Sequence, residues 1–260
     1  MELRKELLTR YILPLREGGS LPALGEAADG FRYVVKLRGA GHGKKALIAE
    51  LVGGLIAKAF KFKVPELVLL EIDNAFGITE PDEEVQELLR KSEGLNLGLH
   101  FLDAAATFDP AANHIDGLTA SKIVWLDAFL TNVDRTRLNP NMMIWHNELW
   151  LIDHGASLYF HHAWKNPALS ASDPFAYIKN HVLLPYADRL QEADKLMRQA
   201  ITPRTLGKIA DLIPAEWLEE EDSDLTAEER RQTYKNFLFE RLKNSSIFVE
   251  EAIRQRNLLM

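Results

Sequence analysis

The sequence contains no cysteine. That excludes disulfides, thiolate zinc sites, Fe–S clusters and cysteine nucleophiles. It has no uninterrupted apolar stretch of the roughly 18 residues that a membrane span requires. It has no basic excess either: 31 Lys and Arg stand against 38 Asp and Glu, a net charge of −7. A general nucleic-acid binder is therefore not expected, although a local basic patch is compatible with this balance. The stretch from Met1 to Leu13 carries charges throughout. It offers no apolar core followed by a small-residue cleavage site, so no signal peptide is expected and the cytoplasm is the expected location. Internal repeats and low-complexity tracts are lacking. What is present is an ordinary globular composition, 47% hydrophobic and 27% charged over 260 residues. That suffices for one large core or two small ones.

The first seventy residues read as strands around one helix. Thr9 to Leu15 and Leu21 to Ala27 can extend, separated by turn chemistry at Arg16-Glu17-Gly18-Gly19-Ser20. Ala28-Asp29-Gly30 is a hairpin turn, and Phe31 to Leu37 is rich in β-branched and aromatic residues, as a strand requires. Lys44 to Phe60 carries Leu47, Leu51, Leu55 and Ala59 at helical spacing, and Leu67 to Ile72 is a short buried strand. The composition changes near Glu71 to Asn74, which divides residues 1–72 from residues 73–260. The second part is mostly helical. A short helix runs to Lys91, Gly94 to Gly117 is loop-like and mixed, and Leu118 to Leu130 is an apolar helix. A hairpin spans Met142 to Ile152. Helices follow from about Asp173 to Ala200 and from Pro203 to Leu212, with a turn at Pro214 to Trp217. Thr226-Ala227-Glu228-Glu229 is a capping box that opens a long final helix. The acidic run Glu219 to Asp222 reads as a solvated linker.

Several motifs fail on inspection. The loop around Gly43-Lys44 has Lys45 where a phosphate loop needs Ser or Thr, and Arg38 where it needs Gly. Gly18-Gly19-Ser20-Leu21-Pro22 is not a nucleophile elbow, because Pro22 replaces its last glycine. His161-His162 has no metalloprotease spacing. The informative segment is Asp134-Arg135-Thr136-Arg137-Leu138-Asn139, followed after a hairpin by Asp153-His154-Gly155. Phosphoryl transfer from ATP needs a carboxylate near the acceptor hydroxyl, with an amide and a second carboxylate holding the metal on the phosphates. Five positions separate Asp134 from Asn139, as in kinase catalytic loops, and the Asp-x-Gly turn follows the hairpin. Asp and Asn are also ordinary turn formers, so Asp134 could simply cap a turn. Upstream, Lys36 lies inside a strand and Glu50 on the next helix, the arrangement of a phosphate-contacting lysine and its orienting glutamate. The alternative is that both face solvent. Gly18, Gly19 and Ser20 can place backbone N–H groups on an anion, or can form a plain turn.

Together these segments, with Tyr33-Val34-Val35-Lys36, Ala49-Glu50-Leu51, Val64-Pro65-Glu66 and Leu151-Ile152-Asp153-His154-Gly155, resemble the HipA-like kinase domain family from about Arg10 to Trp217. The Asp-Arg-x-x-x-Asn and Ile-Asp-x-Gly pair is also similar to the lipid-kinase branch of the same fold. The resemblance implies an α+β, two-lobed kinase: residues 1–72 a small antiparallel-sheet lobe with one helix, residues 73–260 a larger helical lobe. It implies ATP and Mg²⁺ as cofactors, with Gly18, Gly19, Ser20 and Lys36 on the nucleotide. Asp134 becomes the catalytic base, Glu50 orients Lys36, and Asn139 and Asp153 ligate the metal. The expected acceptor is a protein serine or threonine hydroxyl; a lipid or small-molecule acceptor and a non-catalytic nucleotide-binding module are the competing expectations. Lys58, Lys61 and Lys63 are the basic cluster that a lipid acceptor would use. Two departures stand out. His154 replaces the phenylalanine usual in protein kinases, so control by a packing Phe is not carried over. The HipA toxins are longer, and contacts to an antitoxin through their extra N-terminal subdomain are not carried over, which leaves an antitoxin partner open. Their autophosphorylated loop serine has Ser20 as its counterpart.

Overall fold

A computed structural model describes residues 2–15, 22–73, 76–77, 80–162, 164, 167–219 and 224–259. Its first sheet is a closed barrel in the order β1-β2-β3-β5-β4, built from β1 (Lys5–Pro14), β2 (Ala23–Ala27), β3 (Arg32–Lys36), β4 (Leu67–Ile72) and β5 (Gly94–His100). Helix α1 (Gly43–Ala59) lies between β3 and β4 in the chain, and α2 (Glu83–Lys91) between β4 and β5. Period-two alternation decides what β3 does. Tyr33 and Val35 are buried in the barrel's own core with Leu8, Val68 and Leu70. Val34 and Lys36 therefore take the opposite face, and Val34 packs on the main core.

Three expectations are corrected here. Gly94–His100, read as mixed loop, is a strand that pairs antiparallel with both β3 and β4, so the sheet continues beyond residue 72. The sheet is not purely antiparallel, because Lys5–Leu7 runs parallel to Leu69–Glu71 and closes the barrel. One helix does not suffice for this region: Val85, Leu88 and Leu89 of α2 pack into the barrel core. Leu95, Asn96, Leu97 and Gly98 hid the strand because alternation is broken by a buried amide and a glycine. Asn96 is wholly buried and bonds the backbone of Ser92, Gly94 and Arg38. A Cβ at Gly98 would lie 2.5 Å from Leu70 Cδ1, so the strand needs glycine there.

The remainder is helical around a small sheet, β6 (Ala106–Thr107), β7 (Met142–Trp145) and β8 (Glu148–Leu151). Helix α3 (Gly117–Leu130) is buried from Ala120 to Leu130 except for Lys122. Asp116 caps it by accepting from the N–H groups of Leu118 and Thr119, and Thr131 ends it in a left-handed conformation at φ 54°. The expected hairpin over β7 and β8 is present. The expected helix from Asp173 does not form until α5 (Leu190–Ala200); two 3₁₀ turns at Ala176–Asn180 and Leu184–Tyr186 precede it. Pro174 and Pro185 bias the residues before them away from helix and remove donors. A short α4 (Pro167–Ala171) comes before them, and α6 (Pro203–Ala210) follows. The expected turn after Pro214 is one helical turn, α7 (Ala215–Leu218). The Thr226–Glu229 capping box opens α8 (Ala227–Lys243) as expected, but the chain breaks at Asn244 before α9 (Ser245–Asn257). No helix among the described residues is long and apolar enough to cross a membrane.

Candidate active site

Five of the residues singled out from sequence line one cavity of about 410 Å³: Lys36, Glu50, Asp134, Asn139 and Asp153. Lys36 comes from the non-barrel face of β3 and donates to Asp153 Oδ1 at 2.8 Å. Its Nζ also lies 3.8 Å from Glu50 Oε2. Glu50 is 1% exposed, on the buried face of α1. An unpaired carboxylate at that depth would be costly. Burial pushes its pKa up, and the Lys36 charge followed by His154 outweighs this and holds it below the ordinary range. Burial likewise pulls Lys36 down, but Glu50 and then Asp153 outweigh it, so the ammonium is held charged. The alternative of a solvent-facing pair does not hold: the Lys36 side chain is 13% exposed.

Asp134 and Asn139 face each other across a tight loop, with Asn139 Nδ2 donating to Asp134 Oδ2 at 2.7 Å. Asn141 Nδ2 donates to the same oxygen at 3.3 Å. Asp134 is raised above the ordinary carboxylate range: burial is the largest cause and the Asp153 charge adds to it, against the asparagine hydrogen bonds and Arg135. Asp153 itself follows β8 in a left-handed conformation at φ 52°, which turns the chain sharply. Gly53 on α1 then admits His154. A Cβ at residue 53 would lie 2.6 Å from His154 Cβ. His154 is wholly buried, with Nδ1 3.6 Å from Glu50 Oε1, so the residue in the Phe position anchors the Asp-x-Gly loop to α1.

Sequence reading missed the support beneath the loop. Asp127 on α3 accepts from Arg135 Nε at 2.6 Å and from Asn132 Nδ2 at 2.9 Å. His181 Nδ1 accepts from the Leu183 N–H at 3.0 Å, which leaves the proton on Nε2 to donate to Asp127 at 2.9 Å. Burial raises Asp127, but Arg135 and then His181 outweigh it and the carboxyl stays well below its usual range. The Arg135 guanidinium also donates to the carbonyls of Asn141 and, at 3.4 Å, Ile152, joining the two loops. The one signal in the sequence was Arg135 itself, beside Asp134; nothing local identified Asp127 or His181 as its partners.

Gly18, Gly19 and Ser20 lie outside the described residues. Leu15 N–H donates to Pro22 O at 2.7 Å, and Pro22 lines the cavity. Of the basic cluster, Lys63 is paired with Glu148 at 3.3 Å.

No group of three or more His, Cys, Asp or Glu that could hold a metal occurs among the described residues. The oxygens of Asp153, Asn139 and Asp134 form a smaller, all-oxygen donor set on the cavity wall. This fits Mg²⁺, which takes one or two carboxylates and completes its shell with phosphate oxygens and water.

The fold is shared with solved kinases. A proinflammatory kinase of Helicobacter pylori, CtkA, superposes with a TM-score of 0.61 at 13% identity, covering 99% of each chain. The Golgi casein kinase, in a structure with manganese and ADP bound, superposes with a TM-score of 0.50 at 11% identity, covering 98% of this chain and 75% of that one. A search of curated proteins gives no match. The sequence model of the HipA-like kinases matches residues 8–249, nearly the whole chain that builds the barrel, the cavity and the helices around it, and the chain belongs to that family.

Proposed function

We propose that the protein is an ATP- and Mg²⁺-dependent kinase that phosphorylates a serine or threonine hydroxyl of a protein, in a cleft between a barrel-bearing lobe and a helical lobe. One observation carries it: a lysine on β3 and carboxylates on two distant loops meet on one cavity, with Lys36 Nζ 2.8 Å from Asp153. Lys36, held charged by Glu50 and Asp153, binds the α- and β-phosphates. Asn139 and Asp153 hold Mg²⁺. When bound, the metal neutralises charge on the phosphate oxygens. Asp134 orients the acceptor hydroxyl and takes its proton as the oxygen bonds to the γ-phosphorus and the bond to the ADP oxygen breaks. Its raised pKa makes it a better base than an ordinary aspartate. His154 and Gly53 fix Asp153 against α1, and Arg135, clamped by Asp127, fixes Asp134 relative to Asp153.

The test is incubation with labelled ATP, Mg²⁺ and a cell lysate, followed by phosphosite mapping. Transfer by the wild type that is lost in Asp153→Asn and Asp134→Asn supports the proposal. Label on lipids or small molecules changes the acceptor. Binding of ATP without any transfer leaves a nucleotide-binding module.

A further inference from the structure

Arg38 lies two residues beyond Lys36, and its guanidinium is bound to a distant part of the chain. Its Nη1 donates to Glu216 Oε2 at 2.7 Å, a contact across 178 positions between the chain leaving β3 and α7. Next to Glu216, the Trp217 side chain is buried and its Nε1 donates to Leu95 O at 2.9 Å. α7 is thus fastened both to β5 and to the residues that follow β3. Glycine makes room for this. At Gly94 φ is 95°, and a Cβ there would lie 2.5 Å from Arg38 Nη1 and 3.3 Å from Glu216 Oε2. The Arg38 N–H donates to Asn96 Oδ1 at 2.8 Å and the Gly39 N–H to Ser92 Oγ at 3.1 Å, which holds residues 38 and 39 against the start of β5 and the residues before it.

The place of this contact decides what it can do. β5 leads into residues 101–105 at its C-terminal end, while Gly94 and Leu95 stand at its N-terminal end. A strand of that length spans about 20 Å. The covalent connection and the α7 contact therefore hold its two ends. Between them Leu97 pairs with Lys36, whose Nζ reaches Asp153 at 2.8 Å. α7 also packs, with α6, on α1, the helix that carries Glu50. The elements that present Lys36 and Glu50 thus both rest on the same short segment. Phosphoryl transfer in kinases requires such a lysine–glutamate pair to be in place. The side chains of Arg38 and Glu216 are 18% and 36% exposed, and an ion pair so open to water adds little to stability. Misplacing a reacting group by about 1 Å costs on the order of 10²-fold in rate. What the pair contributes is therefore position.

We propose that Arg38 and Glu216 are positioning residues for phosphoryl transfer: their ion pair, beside the Trp217 hydrogen bond, fixes the end of the barrel so that Lys36 meets the nucleotide phosphates. The proposal rests on the kinase reading above and adds to it two residues that do not line the cavity. Loss of either partner frees the Arg38 end of the barrel while Lys36 itself, Glu50 and Asp153 remain. The change then falls on recognition of the phosphates and not on recognition of the nucleoside.

The experiment compares the wild type with Arg38→Ala, Glu216→Ala, the double variant and the milder Glu216→Gln. Titration calorimetry gives affinities for ADP with Mg²⁺ and for adenosine, and label transfer from ATP with a cell lysate gives the rate, with Asp153→Asn as the control. Each alanine variant should lose at least about tenfold in affinity for ADP with Mg²⁺ and in kcat/KM for ATP, the scale of a displacement below 1 Å. Adenosine affinity should stay within about twofold, and the double variant should be no worse than either single one, as for two residues that act as one unit. Glu216→Gln should show a smaller loss in the same direction. The unfolding midpoint should move by at most about 4 °C, which verifies that the variants are folded. The direction of the effect is decisive. Arg38→Ala removes a positive charge and Glu216→Ala a negative one, so a long-range field would move ADP affinity in opposite directions, whereas lost position lowers it in both. Opposite shifts, wild-type affinity in either alanine variant, losses that multiply in the double variant, or an equal loss for adenosine each overturn the positioning role. Transfer that depends on Asp153, with unchanged affinities in the variants, overturns that role alone. Wild-type protein that binds neither nucleotide nor nucleoside and transfers no label overturns the kinase reading, and the positioning role with it.

Discussion

Gly53→Ala should separate activity from stability in this protein. The added methyl would lie 2.6 Å from His154 Cβ, 3.2 Å from its Cγ and 3.4 Å from its Cδ2. Carbon atoms in ordinary contact are about 3.5–4.0 Å apart, so helix and loop must separate by roughly 1 Å. His154 adjoins Asp153, and its own Cβ makes the closest contact, so a rotamer change cannot relieve the crowding. A displacement of about 1 Å at a catalytic group costs on the order of 10²-fold in rate. The effect on stability is smaller, because two contributions oppose each other. Overpacking costs about 1–3 kcal/mol, while alanine in a helix interior is better than glycine by about 1 kcal/mol. The net loss is about 0–2 kcal/mol, a fall of at most roughly 8 °C in the unfolding midpoint for a chain of this size. Steady-state phosphoryl transfer and thermal unfolding, measured on the same preparation, give both quantities. His154→Ala in the Gly53→Ala background should bring no recovery, since Cβ is retained. Wild-type turnover in Gly53→Ala would refute the role given to the close approach of α1 and the Asp-x-Gly loop.

Further outcomes follow from the same geometry. Asp153→Asn should reduce transfer on the order of 10³-fold or more, the scale on which removing one transition-state charge stabiliser acts, in a labelled-ATP assay. Asp127→Asn leaves the buried Arg135 without its counter-charge; breaking such a pair costs about 3–5 kcal/mol, so the unfolding midpoint should fall by roughly 10 °C. Asp134 is raised above its ordinary pKa, so its ionised form opposes folding; Asp134→Asn should therefore raise the midpoint at pH 7, with the gain vanishing near pH 3, where the wild-type carboxyl is also neutral. Glu50 is the opposite case. Its depressed pKa contributes stability that is fully present above the ordinary glutamate range and is lost as pH falls below about 4.5. Acid unfolding of Glu50→Gln should therefore show a weaker dependence on pH in that window, and an unchanged profile would remove the role given to the buried pair.

Local chemistry alone determined a good part of this protein. β-branched and aromatic residues from Phe31 to Leu37 made a strand, and alternation put Lys36 and Tyr33 on opposite faces. Helical spacing from Leu47 onward placed Glu50 on α1, and the five-position interval between Asp134 and Asn139 set a loop whose ends can meet. The capping box at Thr226 opened α8 where the residues said it should. These signals are short in range, so they survive without knowledge of the fold. Tertiary structure decided the rest. β5 is a strand because β3 and β4 offer it partners on both edges, not because Asn96 and Gly98 favour extension. α2 is part of the barrel core because the barrel leaves an apolar end to cover. Asp127 meets Arg135 across eight positions and His181 meets Asp127 across 54, separations that no local pattern spans. The cavity itself exists because packing holds Lys36 against Asp153, 117 positions apart, and a contact of that range depends on the whole chain being folded.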